Sequence, residues 1–209
     1  MNIITKKVRL VPAPFVGTRI TINLTNNPTF TLCQLQLAEL SSSVTIDWGD
    51  GVVESFGDSA VCRHTYPSAG LYVIKISDDV AILFSQSEQD DTDKKAIIAI
   101  ESNAETMDSI LTGAFSGCSN LASLEIDASK ISSIGYSAFK DCASLPPFLN
   151  LHNVNNLISR LTLLPFSGCT NIREIHFSKA NEEAIMASSA YKTDPTLGTG
   201  VEGICRFDP

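Results

Sequence analysis

A phenylalanine followed three positions later by a cysteine occurs three times in the second half of this 209-residue chain. The pairs are Phe115 with Cys118, Phe139 with Cys142, and Phe166 with Cys169. Successive phenylalanines lie 24 and 27 residues apart. A repeat of this length is typical of solenoids, in which each unit buries its apolar side by stacking on a neighbour. We therefore predict a short solenoid from about Ala96 onward.

Each repeat unit also contains an apolar step in the same register. The step consists of Leu124 and Ile126 in the first unit, Phe148 and Leu151 in the second, and Ile175 and Phe177 in the third. Alternation of apolar and polar residues predicts a strand with one buried face and one outward face. The outward positions are the candidate ligand-binding residues: Ser123, Glu125, Glu174 and His176.

The recurring cysteines have three chemical interpretations. Zinc ligands usually come as close pairs, and none of the six cysteines forms a Cys-x-x-Cys pair. The constant distance from phenylalanine favours small apolar residues packed inside the repeat as reduced thiols. A disulfide framework and a metal site are the alternatives. In the first half, Cys33 and Cys62 are a separate candidate disulfide.

The sequence of the first half has the pattern of short β-strands. Segments rich in β-branched and aromatic residues, namely RITINL, VTIDW, LYVIKI and VAILF, alternate with Gly, Asn, Asp and Pro turn signals. This spacing predicts a β-sandwich. The polar segment 85–95, SQSEQDDTDKK, predicts a solvated connector between a domain at 1–88 and a domain at 96–209.

The C-terminal segment reads as the cover of the last repeat. Asn181 is a candidate N-cap of a helix, and two glutamates follow it, as suits the first turn. The stretch GICRFD predicts a final short strand. The predicted fold class is therefore mainly β, with an immunoglobulin-like β-sandwich, a short leucine-rich-repeat solenoid and a C-terminal helical cap.

The segments VTIDWGDG at 44–51 and HTYPSAGLYVIKI at 64–76 resemble the polycystic kidney disease (PKD) domain, an immunoglobulin-like β-sandwich. The matching positions are Trp48, Gly49, Asp50, Gly51, His64, Tyr66, Gly70 and Tyr72. Ile74 replaces the Val of the family pattern and keeps its β-branched character. We expect Trp48 to be a core residue and Tyr66 to make a hydrogen bond to the backbone at a strand corner.

The stretch AFSGCSNLASLEIDASKISSIGYSAF at 114–139 resembles the leucine-rich repeats of BspA-like bacterial surface proteins. The third unit departs from this pattern, because Pro165 replaces the Ala and the segment before it is longer. The resemblance implies a non-catalytic module for adhesion or recognition at a cell surface. It does not identify the ligand.

The charge of the chain argues against two classes of partner. The net charge is -8, the pI is about 4.8, and the 15 Lys and Arg residues are scattered. Nucleic acids and anionic membranes are bound by clustered basic residues, so we expect neither. No apolar run reaches the roughly 18 residues of a spanning helix, and no secretory signal is recognised at the N-terminus. We expect no membrane insertion.

No recognised motif indicates catalysis. P-loop, G-x-S-x-G and H-E-x-x-H motifs are absent from the sequence, and its three histidines are scattered. GTGVEG at 198–203 lacks the flanking strand and helix of a dinucleotide site. Asp47 and Asp50 flank a tight turn, where turn stabilisation is favoured over Ca²⁺ binding. We therefore expect no enzyme, no metal and no cofactor.

Together these features predict a non-enzymatic binding or adhesion module that recognises a protein or glycan through the repeat sheet. The alternative is a structural component of a phage tail or similar particle. A cell-surface, extracellular or phage-particle location is favoured. The sequence indicates no particular oligomeric state.

Overall fold

The computed structural model of this chain is mainly β, as the sequence predicts, with two short α-helices among the residues that it describes. The described residues are 15–25, 29–32, 35–37, 43–57, 62–77, 80–82, 91–103, 109–110, 112–126, 133–151, 165–187 and 205–209.

The first half contributes eight strands. They are β1 (Gly17–Leu24), β2 (Thr29–Leu32), β3 (Leu35–Leu37), β4 (Val44–Asp47), β5 (Val53–Phe56), β6 (Cys62–Thr65), β7 (Gly70–Ser77) and β8 (Val80–Ile82).

The second half contributes seven strands, both helices and one 3-10 turn. In chain order they are α1 (Asp91–Ala96), β9 (Ile97–Ser102), β10 (Ser109–Ile110), β11 (Ser123–Ile126), β12 (Ser133–Ile134), β13 (Phe148–Leu151), β14 (Glu174–Ser178), the 3-10 turn (Lys179–Asn181), α2 (Glu182–Ala187) and β15 (Cys205–Asp208).

The largest sheet contains strands from both halves. Its six strands follow the order β11-β9-β1-β7-β4-β5. Strand β1 is central: it pairs antiparallel with β7 on one side and with β9 on the other. Strand β11 then adds to β9 in parallel. The division of the chain into domains at 1–88 and 96–209 stays a prediction. The hydrogen bonds between β1 and β9 join the two predicted domains in one sheet.

Side chains reinforce this junction. The Thr18 and Ser102 hydroxyls lie 2.8 Å apart and are buried. Asn103 accepts a hydrogen bond from the backbone N–H of Gly17 at 3.0 Å. The backbone N–H of Asn103 donates to the Gly17 carbonyl at 3.2 Å. These bonds fix the register in which the first strand of the second half lies on β1.

Four smaller sheets complete the described part of the fold. In the first half, β2 pairs with β6 and β3 with β8, both antiparallel. In the second half, β10 pairs with β12, and β13, β14 and β15 form a three-stranded sheet, all parallel. The predicted final strand is present as β15. Buried apolar side chains of both halves form one hydrophobic cluster.

The recurring phenylalanines pack directly on one another. The ring centroid of Phe139 lies 5.2 Å from that of Phe115 and 5.3 Å from that of Phe166, and the rings are stacked in both pairs. All three are at most 2% exposed. Backbone hydrogen bonds join the same units, from Phe115 N–H to the Ala138 carbonyl at 2.7 Å and from Phe139 N–H to the Pro165 carbonyl at 2.8 Å.

The cysteines of the repeat contact the phenylalanine of the preceding unit. The Cys142 thiol donates to the Phe115 carbonyl at 3.0 Å, and the Cys169 thiol donates to the Phe139 carbonyl at 2.9 Å. Cysteine is therefore more than a small apolar residue here, because its S–H satisfies a buried carbonyl of the neighbouring unit. An alanine would leave the space of the sulfur atom empty and could not donate this bond.

The residue before each of these cysteines takes a left-handed backbone conformation. The φ angles are 84° at Gly117, 60° at Asp141 and 78° at Gly168. Glycine and aspartate are among the residues that tolerate this region. A side chain at Gly168 would also overlap the Asp141 carboxylate, since an added Cβ would clash with its Oδ1.

One expectation about the second half was wrong in detail. Residues 91–95 of the expected connector belong to α1, and Asp93 in it is 5% exposed because the helix packs beside β1, β2 and β9. Asn181 ends the 3-10 turn directly before α2, and its assignment as the N-cap of that helix stays a prediction. Ser178 caps that turn by accepting from the Ala180 N–H at 3.3 Å.

The cysteines whose side chains the structure describes are buried thiols outside any disulfide: Cys62, Cys118, Cys142, Cys169 and Cys205. Cys33 lies outside the described residues. Burial raises the pKa of the Cys62 and Cys118 thiols to about 12, with a smaller opposing effect of Lys94 on Cys118, and it raises the pKa of Cys142 as well. A thiol with a raised pKa and no exposed surface reacts slowly, because the thiolate is the nucleophile.

We therefore predict that the native protein resists thiol labelling. In a Cys33→Ser variant, five of the six cysteines remain, and none of them should react with Ellman's reagent at pH 8 within minutes. All five should react once guanidinium unfolds the chain. Rapid native labelling of two or more thiols would contradict the burial described here.

Candidate functional site

The outward face of the three-stranded sheet carries a compact group of polar and aromatic side chains. Along each strand the apolar residues between them point inward, and these buried residues are Leu149, Leu151, Ile175, Phe177 and Cys205. The outward residues on the opposite side are Phe148, Asn150, Glu174, His176, Arg206 and Asp208. We refer to these six residues as the β13–β15 face.

Strand register places these residues beside one another. Phe148 lies opposite Glu174, and Asn150 lies opposite His176. His176 in turn lies opposite Arg206 on β15. Parallel strands are 4.7–4.9 Å apart, so side chains in one row are within contact distance.

A hydrogen-bond network holds the charged members of the face in place. His176 Nδ1 lies 2.8 Å from an Asp208 carboxylate oxygen, and its Nε2 lies 3.3 Å from a Glu174 carboxylate oxygen. Arg206 donates to the second oxygen of Glu174 at 3.0 Å. The network ties β15 to β14, and it orients polar groups that are still open to solvent.

The His176 imidazole is biased toward its charged form. The hydrogen bond with Asp208 is the main cause that raises its pKa, and Glu174 raises it further, whereas partial burial acts in the opposite direction. Only the imidazolium can donate from both nitrogens, one to each carboxylate. The face therefore carries two carboxylates balanced by a guanidinium and a histidine that readily becomes cationic.

Phe148 departs from the other phenylalanines of the repeat. It is 62% exposed, whereas Leu149 and Leu151 are buried. The repeat pattern predicts an inward position for Phe148. This prediction is wrong because the second unit has one extra residue. Leu145 and Leu149 are four positions apart, whereas Leu121 and Leu124 are three apart. The extra residue, in a Pro-Pro-Phe stretch, turns the phenylalanine ring outward.

The face has the composition of a recognition surface. An exposed aromatic ring provides apolar contact area, and arginine, histidine and carboxylate groups provide directional hydrogen bonds. The two carboxylates bind opposite edges of the imidazole ring, so they do not converge on one point. Within the described residues, no three His, Cys, Asp or Glu side chains form a group that could hold a metal ion.

The four outward residues predicted from the repeat are divided between two sheets. Glu174 and His176 lie on the β13–β15 face. Ser123 and Glu125 lie on β11, at the end of the six-stranded sheet, where Glu125 is opposite Glu101 of β9. His176 is open to solvent as expected, with 31% of its side chain exposed. Periodicity missed Phe148, Arg206 and Asp208.

The tight turn of the first half uses its carboxylates internally. Asp47 accepts from the Gly49 N–H at 2.9 Å and from the Lys75 ammonium at 3.0 Å, and these bonds lower its pKa in that order. Asp50 accepts from the Val52 N–H at 3.0 Å. Its second oxygen lies 2.7 Å from His64 Nε2. Since all four carboxylate oxygens have partners, the turn-stabilising interpretation is supported.

Trp48 and Tyr66 form the centre of that half. Trp48 is fully buried, stacks on His64 with ring centroids 4.9 Å apart, and donates from Nε1 to Glu54 at 2.7 Å. Tyr66 donates its hydroxyl to the Trp48 carbonyl at 3.1 Å. Both expectations for these residues agree with the structure. His64 contacts Asp50 and Trp48 and is part of the core rather than of an open site.

Residues 94–195 match the family model described as BspA type leucine rich repeat region, in six copies. The match begins in α1 and includes β9, which lies before the first Phe-x-x-Cys. The second half of the chain is thus similar to BspA-type leucine-rich repeats. Searches of the curated proteins and of the solved structures found no significant match. No helix in the described part of the chain is long and apolar enough to cross a membrane.

The charge on His176 gives a pH-dependent prediction. Its folded pKa is raised, so its contribution to stability is complete below the unfolded value of about 6.5 and is lost as pH rises through the folded value. The difference in unfolding free energy between the wild type and His176→Gln should therefore be larger at pH 6 than at pH 9. Urea denaturation at both pH values measures it, with Lys179→Gln as an exposed control. An equal difference at both pH values would contradict the predicted role.

Proposed function

We propose that this protein is a non-enzymatic binding module that recognises a protein or glycan through the β13–β15 face. One observation carries the proposal: the exposed Phe148 ring lies beside an ordered network of Glu174, His176, Arg206 and Asp208. Rigid aromatic and arginine side chains are the residues that dominate binding energy in interfaces. The similarity to BspA-type repeats supports a role in surface adhesion or protein binding.

The arrangement suits recognition because little side-chain entropy remains to be lost. Glu174 and Arg206 are already bonded to each other, so a partner meets groups in fixed positions. The ring of Phe148 can pack on an apolar group of a protein or on the C–H face of a sugar. Carboxylates and guanidinium next to it can bond amide or hydroxyl groups.

We further propose that the first half is a PKD-like, immunoglobulin-like sandwich and that the repeats form a capped solenoid. The turn at Trp48 to Gly51 and the hydrogen bond from Tyr66 to the Trp48 carbonyl support the first part. Gly49 supports it too, because its φ is 83° and an added Cβ would lie 2.5 Å from the Val73 carbonyl. The stacked phenylalanines and parallel strands support the second part.

The binding proposal is tested on a glycan array and an array of purified extracellular proteins, both probed with the full chain. Every hit should lose at least about tenfold in affinity with Phe148→Ala or Arg206→Ala, since central interface residues contribute about 1.4 kcal/mol or more. Tyr136→Ala is the matched control, because Tyr136 is 47% exposed but lies outside this sheet.

Two outcomes would overturn the assignment of the β13–β15 face. In one, hits bind the Phe148→Ala and Arg206→Ala variants as tightly as the wild type. In the other, Tyr136→Ala weakens the same hits as strongly as the two face variants. Purified-protein hits alone would identify a protein receptor role, and glycan hits alone a lectin role.

A further inference from the structure

The outward face of the six-stranded sheet carries a row of charged residues that crosses both halves of the chain. Its members lie opposite one another on neighbouring strands, from β11 to β4. In that order they are Glu125, Glu101, Arg19, Lys75 and Asp47, and we call them the charged row. The signs along the row are negative, negative, positive, positive and negative.

Ion pairs within the chain use only part of this charge. Arg19 lies 3.6 Å from Glu101, and Lys75 lies 3.0 Å from Asp47, with side chains 33% to 50% exposed. Glu125 is exposed and makes no ion pair with another described residue. Because it lies opposite Glu101, the two like charges repel. The β11 end of the row therefore has negative charge that a partner can neutralise.

We propose that this face binds a second copy of the chain in a twofold-symmetric dimer. The twofold axis of this dimer runs parallel to the strands, above the outward face and midway between β9 and β1. The first position of the row then faces the fourth position of the other copy, and the second faces the third. It brings Glu125 against the partner's Lys75 and Glu101 against the partner's Arg19. Each contact occurs twice, because both copies use the same patch. The interface then contains four opposite-charge contacts.

The adjacent row allows the two sheets to approach. It consists of Ser123, Ala99, Thr21 and Val73, which lie opposite one another in the same strand order. The same axis places Ser123 against the partner's Val73 and Ala99 against the partner's Thr21. These side chains are short, so they are compatible with the roughly 10 Å spacing of stacked sheets. Val73, now 39% exposed, would be covered.

Charge order favours a second copy over another kind of partner. A uniformly basic partner would be repelled at Arg19 and Lys75, and a uniformly acidic one at Glu101 and Glu125. The charges at the first four positions of the row sum to zero. Read in reverse, these four charges are opposite in sign to the same row read forward, so two copies are complementary. The chain as a whole carries a net charge of -8, so only a locally matched surface can offset the repulsion between copies. Salt should weaken the dimer.

The oligomeric state of the full chain in 50 mM salt tests this inference, measured by analytical ultracentrifugation over micromolar concentrations. The wild type should dimerise. Glu125→Lys and Lys75→Glu should each shift the dissociation constant at least tenfold toward monomer. Glu183→Lys and Lys140→Glu make the same charge changes at exposed positions outside the row and should leave dimerisation unchanged.

Mixing the two interface variants gives the sharpest result. A Glu125→Lys chain and a Lys75→Glu chain together should form a heterodimer. The two substituted positions then face each other with opposite charges, and the second contact is the unchanged pair of Lys75 and Glu125. A wild type that is monomeric throughout the range would overturn the proposal. So would a Glu125→Lys variant that dimerises normally, or a mixture that stays monomeric while each variant keeps the wild-type melting temperature. A dimer would leave the proposed ligand role of the β13–β15 face to be judged by its own test.

Discussion

A fragment that begins at Asp91 should show no cooperative unfolding transition when it is made without the first half. This fragment keeps all repeat units and the terminal sheet, so a self-sufficient repeat domain would fold. In the structure, however, β9 lies between β1 and β11 and pairs with β1 over most of its length. Without β1, the first strand of the repeats becomes an open edge.

The loss is large compared with the stability of a domain. Ile97 and Ile100 are at most 1% exposed in the whole chain. Exposing two such side chains costs about 3 to 6 kcal/mol, while domains are stable by about 5 to 15 kcal/mol. The buried bond between Thr18 and Ser102 is lost as well. In the whole chain, the sheet of the first half covers this edge of the first repeat strand.

Thermal and urea unfolding followed by circular dichroism measures the expected difference. The whole chain should unfold in one transition, and the fragment 91–209 in none above room temperature. As a control, an equimolar amount of fragment 1–88 should restore a transition by supplying β1. A fragment that melts alone, within a few degrees of the whole chain, would show that the halves fold independently.

The sequence was sufficient to predict the repeat and four of the eight described strands of the first half, β1, β4, β7 and β8. β-branched alternation in RITINL and LYVIKI predicted β1 and β7, and the Phe-x-x-Cys spacing predicted which side chains stack. These signals are local, because strand alternation and a constant period are both written in neighbouring residues. The same locality explains why Glu174 and His176 were correctly placed on an outward face.

The candidate site was only half visible, because its other members depend on non-local facts. Arg206 and Asp208 join the face through the pairing of β15 with β14, about 30 residues away in sequence, as the 32-residue separation of His176 and Asp208 illustrates. The repeat pattern does not predict the pairing of β15 with β14. Phe148 was missed for a different reason, since one inserted residue moves every later side chain of a strand to the other face.

Local sequence patterns also could not predict how the two halves of the chain are joined. The polar composition of 85–95 is typical of a linker, and nothing in it indicates that Asp93 is buried or that β9 pairs with β1. Antiparallel pairing of Thr18 with Ser102 joins residues 84 positions apart. Register over such a distance follows from which apolar faces pack together, here Ile20 opposite Ile100.

Phe139→Ala should be the most damaging single substitution in the repeat. Phe139 is 1% exposed and stacks on Phe115 and Phe166 at 5.2 and 5.3 Å, so its removal leaves a cavity between two rings. Truncation of a buried phenylalanine costs about 3 to 5 kcal/mol. For a chain of this size, that loss lowers the melting temperature by about 6 to 20 °C.

Phe148→Ala makes the identical chemical change nine residues further along the chain and is the matched control. Its ring is 62% exposed, so little transfer energy or packing is lost, and the change in stability should stay within about 0.5 kcal/mol. Urea denaturation of both variants gives the two values. Similar losses would mean that Phe148 is buried in solution or that Phe139 is not. A large difference, together with lost binding only in Phe148→Ala, separates the residue that builds the stack from the residue that contacts the partner.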